Sequence, residues 1–139
     1  MNTHAGLKIS ALIMLIMTLT LSACTGGSQP ELEGSTWELV AIDDKLPLAG
    51  TTITLVMEDG QSGGTAGCNS YGAAYVIEDD TLTFDEVVST MMYCEAEGVM
   101  DQETAYLLAL SQVKTYTITG GALYLTQEDG RQLKYIPQQ

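Results

Sequence analysis

Any chemistry in this 139-residue chain falls to three cysteines, one histidine and 18 acidic residues. The histidine is His4, at the extreme amino terminus, so the body of the chain has no imidazole. It therefore has no neutral-pH general base of that type, no His-activated nucleophile and no His metal ligand. Carboxylates are plentiful and leave a paired-carboxylate hydrolase open on composition. However, Glu58-Asp59, Glu78-Asp79-Asp80 and Glu128-Asp129 fall at expected turns, where solvation is their ordinary role. Glu78 to Glu86 lacks the central glycine and alternating ligands of a calcium loop, and neither a Walker A nor a dinucleotide-binding glycine pattern is present. The expectation is no catalytic residue, no metal and no cofactor.

Cys24 belongs to a different kind of chemistry. It follows Leu21-Ser22-Ala23, and before these comes an uncharged apolar run, Ile9 to Leu21, preceded by Lys8. Thirteen residues in a helix span about 20 Å, short of the ~30 Å a transmembrane helix must cross, but normal for the apolar region of a signal peptide. Leu21-Ser22-Ala23-Cys24 resembles the lipobox of bacterial lipoproteins. Small residues let the peptidase reach the scissile bond, and the Cys24 thiol takes a diacylglyceryl group. Residues 1–23 are thus expected to be a discarded leader and 24–33 a lipidated cysteine with a flexible polar tether. Residues 34–139 are expected to form the folded domain. The expected location is the bacterial cell envelope; Thr25 in place of an aspartate after Cys24 points, by resemblance to enterobacterial sorting, to the periplasmic face of the outer membrane.

An exported domain meets an oxidising compartment, where the remaining even pair, Cys68 and Cys94, reads as a disulfide. The bridge would close about 27 residues and stabilise the fold by roughly 3.5 kcal/mol in the chain-entropy model. Free buried thiols and a redox-active pair are the alternatives. Against the latter, the pair is not Cys-x-x-Cys and neither thiol has a neighbouring Lys or His.

The elements that must position these residues are mostly short strands. Trp37 to Ile42 is one, and Ile53 to Met57 alternates before the turn signal Glu58-Asp59-Gly60. Tyr75-Val76-Ile77-Glu78-Asp79-Asp80-Thr81-Leu82-Thr83-Phe84 aligns with Tyr116-Thr117-Ile118-Thr119-Gly120-Gly121-Ala122-Leu123-Tyr124-Leu125, which suggests one β-hairpin used twice. A last strand covers Gln132 to Ile136. The segment 99–113 instead has helical spacing, with Met100, Leu107, Leu110 and Val113 on one face and Asp101 and Glu103 in the first turn. The fold class is α+β, mainly antiparallel: a curled sheet or cracked barrel of about seven to eight strands with one helix.

Several of these residues carry a resemblance to a known family. Trp37-Glu38-Leu39, Gly67-Cys68-Asn69-x-Tyr71, Leu82-x-Phe84, Thr90-x-Met92-x-Cys94, the helix with Glu103 and Leu107, and Leu123-x-Leu125 follow in order. Over about 34–136 the chain resembles the META domain of HslJ-like heat-shock lipoproteins. The resemblance implies a small antiparallel sheet or cracked barrel with one helix. It also implies an envelope or stress-related role without an established catalytic activity. Met91 stands where family members often carry a basic residue, so an anion-binding role at that position is not carried over.

Removal of Lys8 with the leader leaves four basic residues against 18 acidic, a net charge of −14. Such a charge opposes nucleic acid as a partner. The expected function is a non-catalytic binding or assembly factor, tethered to a membrane and engaging an envelope protein or hydrophobic ligand. One alternative is a lipid- or hydrophobic-peptide-binding pilot for a secretion or outer-membrane component; another is a periplasmic inhibitor or interaction module. Asn69, Tyr71, Met91, Met92 and Tyr93 are the candidate binding residues. Packing of the methionines and Tyr93 in the core beside the disulfide is the competing reading. An empty apolar cavity would favour a lipid ligand, and a solid core with an exposed apolar patch would favour a protein partner.

Overall fold

Two hairpins show how local chemistry sets the register. Asp59-Gly60 and Gly120-Gly121 each supply two successive residues with positive φ, at 51° and 75° and at 59° and 75°. They join the pairs Glu58↔Gln61 and Thr119↔Ala122 as two-residue turns whose twist matches that of the strands. The computed structural model describes residues 31–138. In chain order the elements are β1 (Ser35–Ile42), β2 (Thr54–Glu58), β3 (Gln61–Thr65), β4 (Ser70–Glu78), β5 (Thr81–Ser89), α1 (Val99–Ser111), β6 (Val113–Thr119), β7 (Ala122–Gln127) and β8 (Gln132–Pro137).

Every strand pairs antiparallel with its sequence neighbour, and β8 returns to β1, so the sheet closes into an eight-stranded meander barrel. Closure goes further than the expected cracked barrel, but one seam is thin. β5 meets β6 through the single ladder pair Thr81↔Thr115, and Tyr116 N–H donates to the Asp80 carbonyl at 3.1 Å nearby. This is where the chain inserts α1, which packs against β5. The repeated hairpin is real: Tyr75↔Phe84 and Ile77↔Leu82 correspond to Tyr116↔Leu125 and Ile118↔Leu123.

Alternation in the strands fills the barrel. Trp37, Leu55, Met57, Leu82, Leu123, Leu125, Leu133 and Tyr135 are completely buried and meet Tyr106 and Leu110 of α1. Each such side chain contributes about 1.5–3 kcal/mol relative to exposure. The helix buries Val99, Glu103, Tyr106, Ala109 and Leu110. Its inward face is therefore rotated from the expected one, and Met100 and Leu107 are only half-buried.

Three expectations are corrected. β3, Gln-Ser-Gly-Gly-Thr, was not expected as a strand because it has no apolar alternation. It is one because β2 and β4 flank it and its glycines let them approach; a Cβ on Gly64 would collide with the Thr54 carbonyl oxygen. The domain also begins before Gly34. Leu32 joins the core, Glu33 accepts a hydrogen bond from Asp59 N–H at 2.6 Å and another from the Tyr75 hydroxyl, and the Ser35 hydroxyl bonds to the Leu32 carbonyl. An apolar residue and a carboxylate with specific partners tie residues 32 and 33 to the barrel instead of the tether. Third, Glu103 faces the protein interior. Cys24, the leader 1–23, His4 and the tether up to residue 30 lie outside the described residues.

Candidate functional site

The feature that singles out one region is a buried polar clamp under an exposed apolar loop. Asn69 follows Cys68 at the turn from β3 into β4 and is 1% exposed. All four hydrogen-bonding positions of its amide are used. Oδ1 accepts from Met92 N–H at 2.7 Å and from the Thr90 hydroxyl at 2.8 Å. Nδ2 donates to the Met92 carbonyl at 3.0 Å and to Glu103 Oε1 at 2.6 Å.

Glu103, on the inward face of α1 and 4% exposed, completes the clamp. Its Oε2 accepts the backbone N–H groups of Asn69 at 2.6 Å and Cys68 at 3.1 Å. A buried carboxylate is costly to desolvate, and three N–H donors offset that cost without a cationic partner. The sequence reading assigned Glu103 to the helix dipole. The signal that could have found its role is its spacing: Val99, Glu103, Tyr106 and Leu110 lie four, three and four residues apart, one helical face.

Cys68 and Cys94 are disulfide-bonded, with Cα atoms 6.0 Å apart. The segment after β5 is therefore fixed at three successive alternate positions. Thr90 N–H bonds to the Ser70 carbonyl at 3.0 Å, Met92 is held through its backbone by Asn69, and Cys94 is bridged while its N–H donates to Met100 Sδ at 3.5 Å. Between these anchors the side chains point away from the protein: Met91 is 98% exposed, Met92 60% and Tyr93 79%. The core reading of these three residues is overturned.

The candidate residues thus separate into two roles. Asn69 supports the loop from below and presents nothing to solvent. Tyr71 is elsewhere, buried in β4, where its hydroxyl bonds to the Thr54 carbonyl at 2.8 Å and to the Tyr106 hydroxyl at 2.7 Å. The Tyr135 hydroxyl reaches Tyr106 at 3.2 Å, so three phenols from β4, α1 and β8 form a chain through the interior. Burial, then the neighbouring tyrosine, pushes the hydroxyls of Tyr71, Tyr106 and Tyr135 well above the ordinary tyrosine range. They hold the helix in the barrel as neutral groups.

Along the sequence, the flanks of the loop are one-signed. From Asp85 to Asp101 the chain carries Asp85, Glu86, Glu95, Glu97 and Asp101 and no Lys or Arg. Pockets of about 410 and 430 Å³ lie away from the loop. The first is walled by Ser111, Gln112, Lys114, Gln127, Glu128 and Asp129, and the second includes Asp43, Arg131 and Lys134. The residues that line both are mostly polar or charged, unlike those of an acyl-chain cavity.

A closed meander barrel of eight short strands, packed with one helix and stapled by a disulfide beside an Asn–Glu clamp, defines a class of small β-barrel domain. The META domain family model matches residues 30–139, and the chain belongs to that family. Among solved structures, an NMR structure of a protein from Burkholderia xenovorans is 26% identical, with a TM-score of 0.67 over 77% of this chain and 83% of that one. A second NMR structure is 15% identical with a TM-score of 0.61, covering 74% of this chain and 88% of its own. The crystal structure of a DUF4847 family protein from Bacteroides vulgatus is 12% identical with a TM-score of 0.55, over 74% and 92%. The last two share the fold alone. No curated protein matches the chain.

Proposed function

We propose that this META domain is a non-catalytic docking module of the bacterial cell envelope, held at the membrane through Cys24, that engages a protein partner with the loop Met91–Tyr93. The observation that carries this reading is the contrast between the loop's tip and its base. Three consecutive large apolar side chains face water, while the backbone beneath them is anchored at Thr90, Met92 and Cys94. Leaving such a patch in solvent is unfavourable unless something covers it. A rigid base lowers the ordering entropy that binding must overcome.

The filled barrel favours a partner at the surface over a lipid held inside, because the interior positions are occupied by completely buried side chains. Charge narrows the partner further. The acidic flank Asp85–Asp101 repels anionic headgroups and nucleic acid, and it complements an apolar pocket bordered by Lys and Arg. Methionine suits such a contact because its unbranched thioether adapts to an irregular pocket.

A photo-crosslinking residue placed in turn at 91, 93 and the equally exposed Leu46, in cells with the anchor intact, tests the reading. A discrete protein adduct at 91 and 93, absent at 46 and weakened by raised salt, is expected. Crosslinks to lipid alone, or the same adducts from all three positions, would sink it. The membrane link is tested separately: Cys24→Ser should accumulate the uncleaved precursor, and a wild-type protein recovered soluble without lipid would refute the anchor.

A further inference from the structure

The four methionines among the described residues occupy three different environments. Met91 and Met92 are adjacent and exposed, and neither sulfur has a hydrogen-bond partner among the described residues. Met57 is sealed in the barrel core. Met100 is half-buried, and its sulfur is engaged by the Cys94 N–H. Oxygen transfer to a thioether requires an oxidant to reach a free sulfur lone pair, so these environments differ in reactivity as well as in packing.

We propose that Met91 and Met92 form a reversible oxidation site that controls the apolar loop. A two-electron oxidant of the peroxide or hypochlorite class transfers one oxygen atom to the sulfur. The sulfur–oxygen bond forms as the oxidant's O–O or O–Cl bond breaks. The thioether gives up two electrons and becomes the sulfoxide, and the oxidant leaves as water or chloride. The product is a strongly dipolar group in place of an apolar one, at the two methionines of the three-residue apolar run.

The construction of the loop makes this a surface change and not a folding lesion. The clamp holds Met92 through its backbone N–H and carbonyl, Thr90 through its hydroxyl and Cys94 through its disulfide. None of these contacts uses a Met91 or Met92 side chain. Oxidation therefore alters what the loop presents while its position is kept. This inference rests on the docking reading for its consequence: the reduced loop docks and the sulfoxide form does not. Methionine sulfoxide reductases reverse the change.

The test uses the mature protein as isolated from cells, exposed to graded hydrogen peroxide and followed by peptide mass mapping. Met91 and Met92 should gain one oxygen each at least ~10-fold faster than Met57 and Met100, as accessibility dictates. The folded protein should then be retained less on a hydrophobic-interaction column, with its near-UV circular dichroism unchanged. Reductase treatment should restore retention. Met91→Leu with Met92→Leu keeps an apolar loop without thioethers, and its retention should not respond to peroxide. Equal rates at Met57 or Met100 would overturn the site, and unchanged retention after oxidation at 91 and 92 would overturn the control. A loop adduct in cells that survives full oxidation would also overturn the control while leaving docking intact. Absence of any loop-specific adduct removes docking but not the chemical site.

Discussion

Asn69 shows how one buried residue can connect three elements. Its amide satisfies groups on the loop after β5 and on α1 while its backbone sits at the start of β4. Asn69→Ala would leave the Thr90 hydroxyl, both Met92 backbone groups and one Glu103 oxygen without this partner. A stability loss of about 3 kcal/mol or more is expected from urea unfolding, since orphaned buried polar groups bear their full desolvation cost. Loss below about 1 kcal/mol would mean that the loop repacks without the clamp. Gln127 is the opposite case. It occupies an inward position after Leu123 and Leu125, is 3% exposed, and neither amide atom has a hydrogen-bond partner among the described residues. Gln127→Met keeps the shape and removes the polar atoms, so it should raise stability by about 1–2 kcal/mol. A destabilised variant would show that the amide is engaged in solution. The Gly67-Cys68-Asn69 motif drew attention to Asn69, but as a binding residue; its role as a buried clamp was not legible, because its partners lie more than 20 residues away in sequence. Glu103's burial was not legible either. It was expected in the first helical turn with Asp101, but it lies one residue beyond that turn on the inward face. Only the three-dimensional closeness of residues 68, 69 and 103 shows why a carboxylate is buried there.

At the level of elements, legibility follows how local each determinant is. The repeated hairpins could be read because two-residue turns and strict alternation lie within ten residues of one another. β3 could not, since its strand character comes from neighbours on both sides and from the absence of Cβ atoms at Gly63 and Gly64. Closure between β1 and β8 is likewise a long-range pairing, from Trp37↔Pro137 to Ile42↔Leu133, that no local pattern encodes. The thin β5–β6 seam has a dynamic consequence. With one ladder pair across it, the β6 amides facing β5 have fewer partners than those of the continuous β4–β5 ladder. In native-state hydrogen exchange the seam amides should exchange at least ~10-fold faster than Tyr75 to Ile77, reporting local opening while the rest stays folded. Equal protection would mean that α1 braces the seam as firmly as a strand.

At the scale of the whole molecule, the tyrosine chain couples stability to alkaline pH. Tyr71, Tyr106 and Tyr135 are raised by burial above the ordinary value near 10, and Tyr75, through burial and its bond to Glu33, to about 12. The unfolded chain has none of these environments, so above pH ~10 it releases protons that the native protein retains. Stability from these groups is therefore complete below pH ~10 and falls as the pH climbs towards the folded values. Each of the three interior phenols contributes a slope of about 1.4 kcal/mol per pH unit, about 4 together. Against a total of about 5–15 kcal/mol for a small domain, that slope unfolds the protein within a few units of pH 10. Phenolate absorbance at 295 nm should lag, in the native protein, behind the same protein in urea by at least three tyrosines, and should then rise together with loss of the near-UV signal. Tyr106→Phe separates this linkage from ordinary destabilisation. It removes one titrating phenol and its bonds to Tyr71 and Tyr135, so neutral-pH stability drops, but the slope should fall by about one quarter between pH ~10 and ~12, where Tyr75 also contributes, and by about one third above that. An unchanged slope would mean that the interior phenols ionise without unfolding, and that the barrel admits water along the chain from β4 to β8.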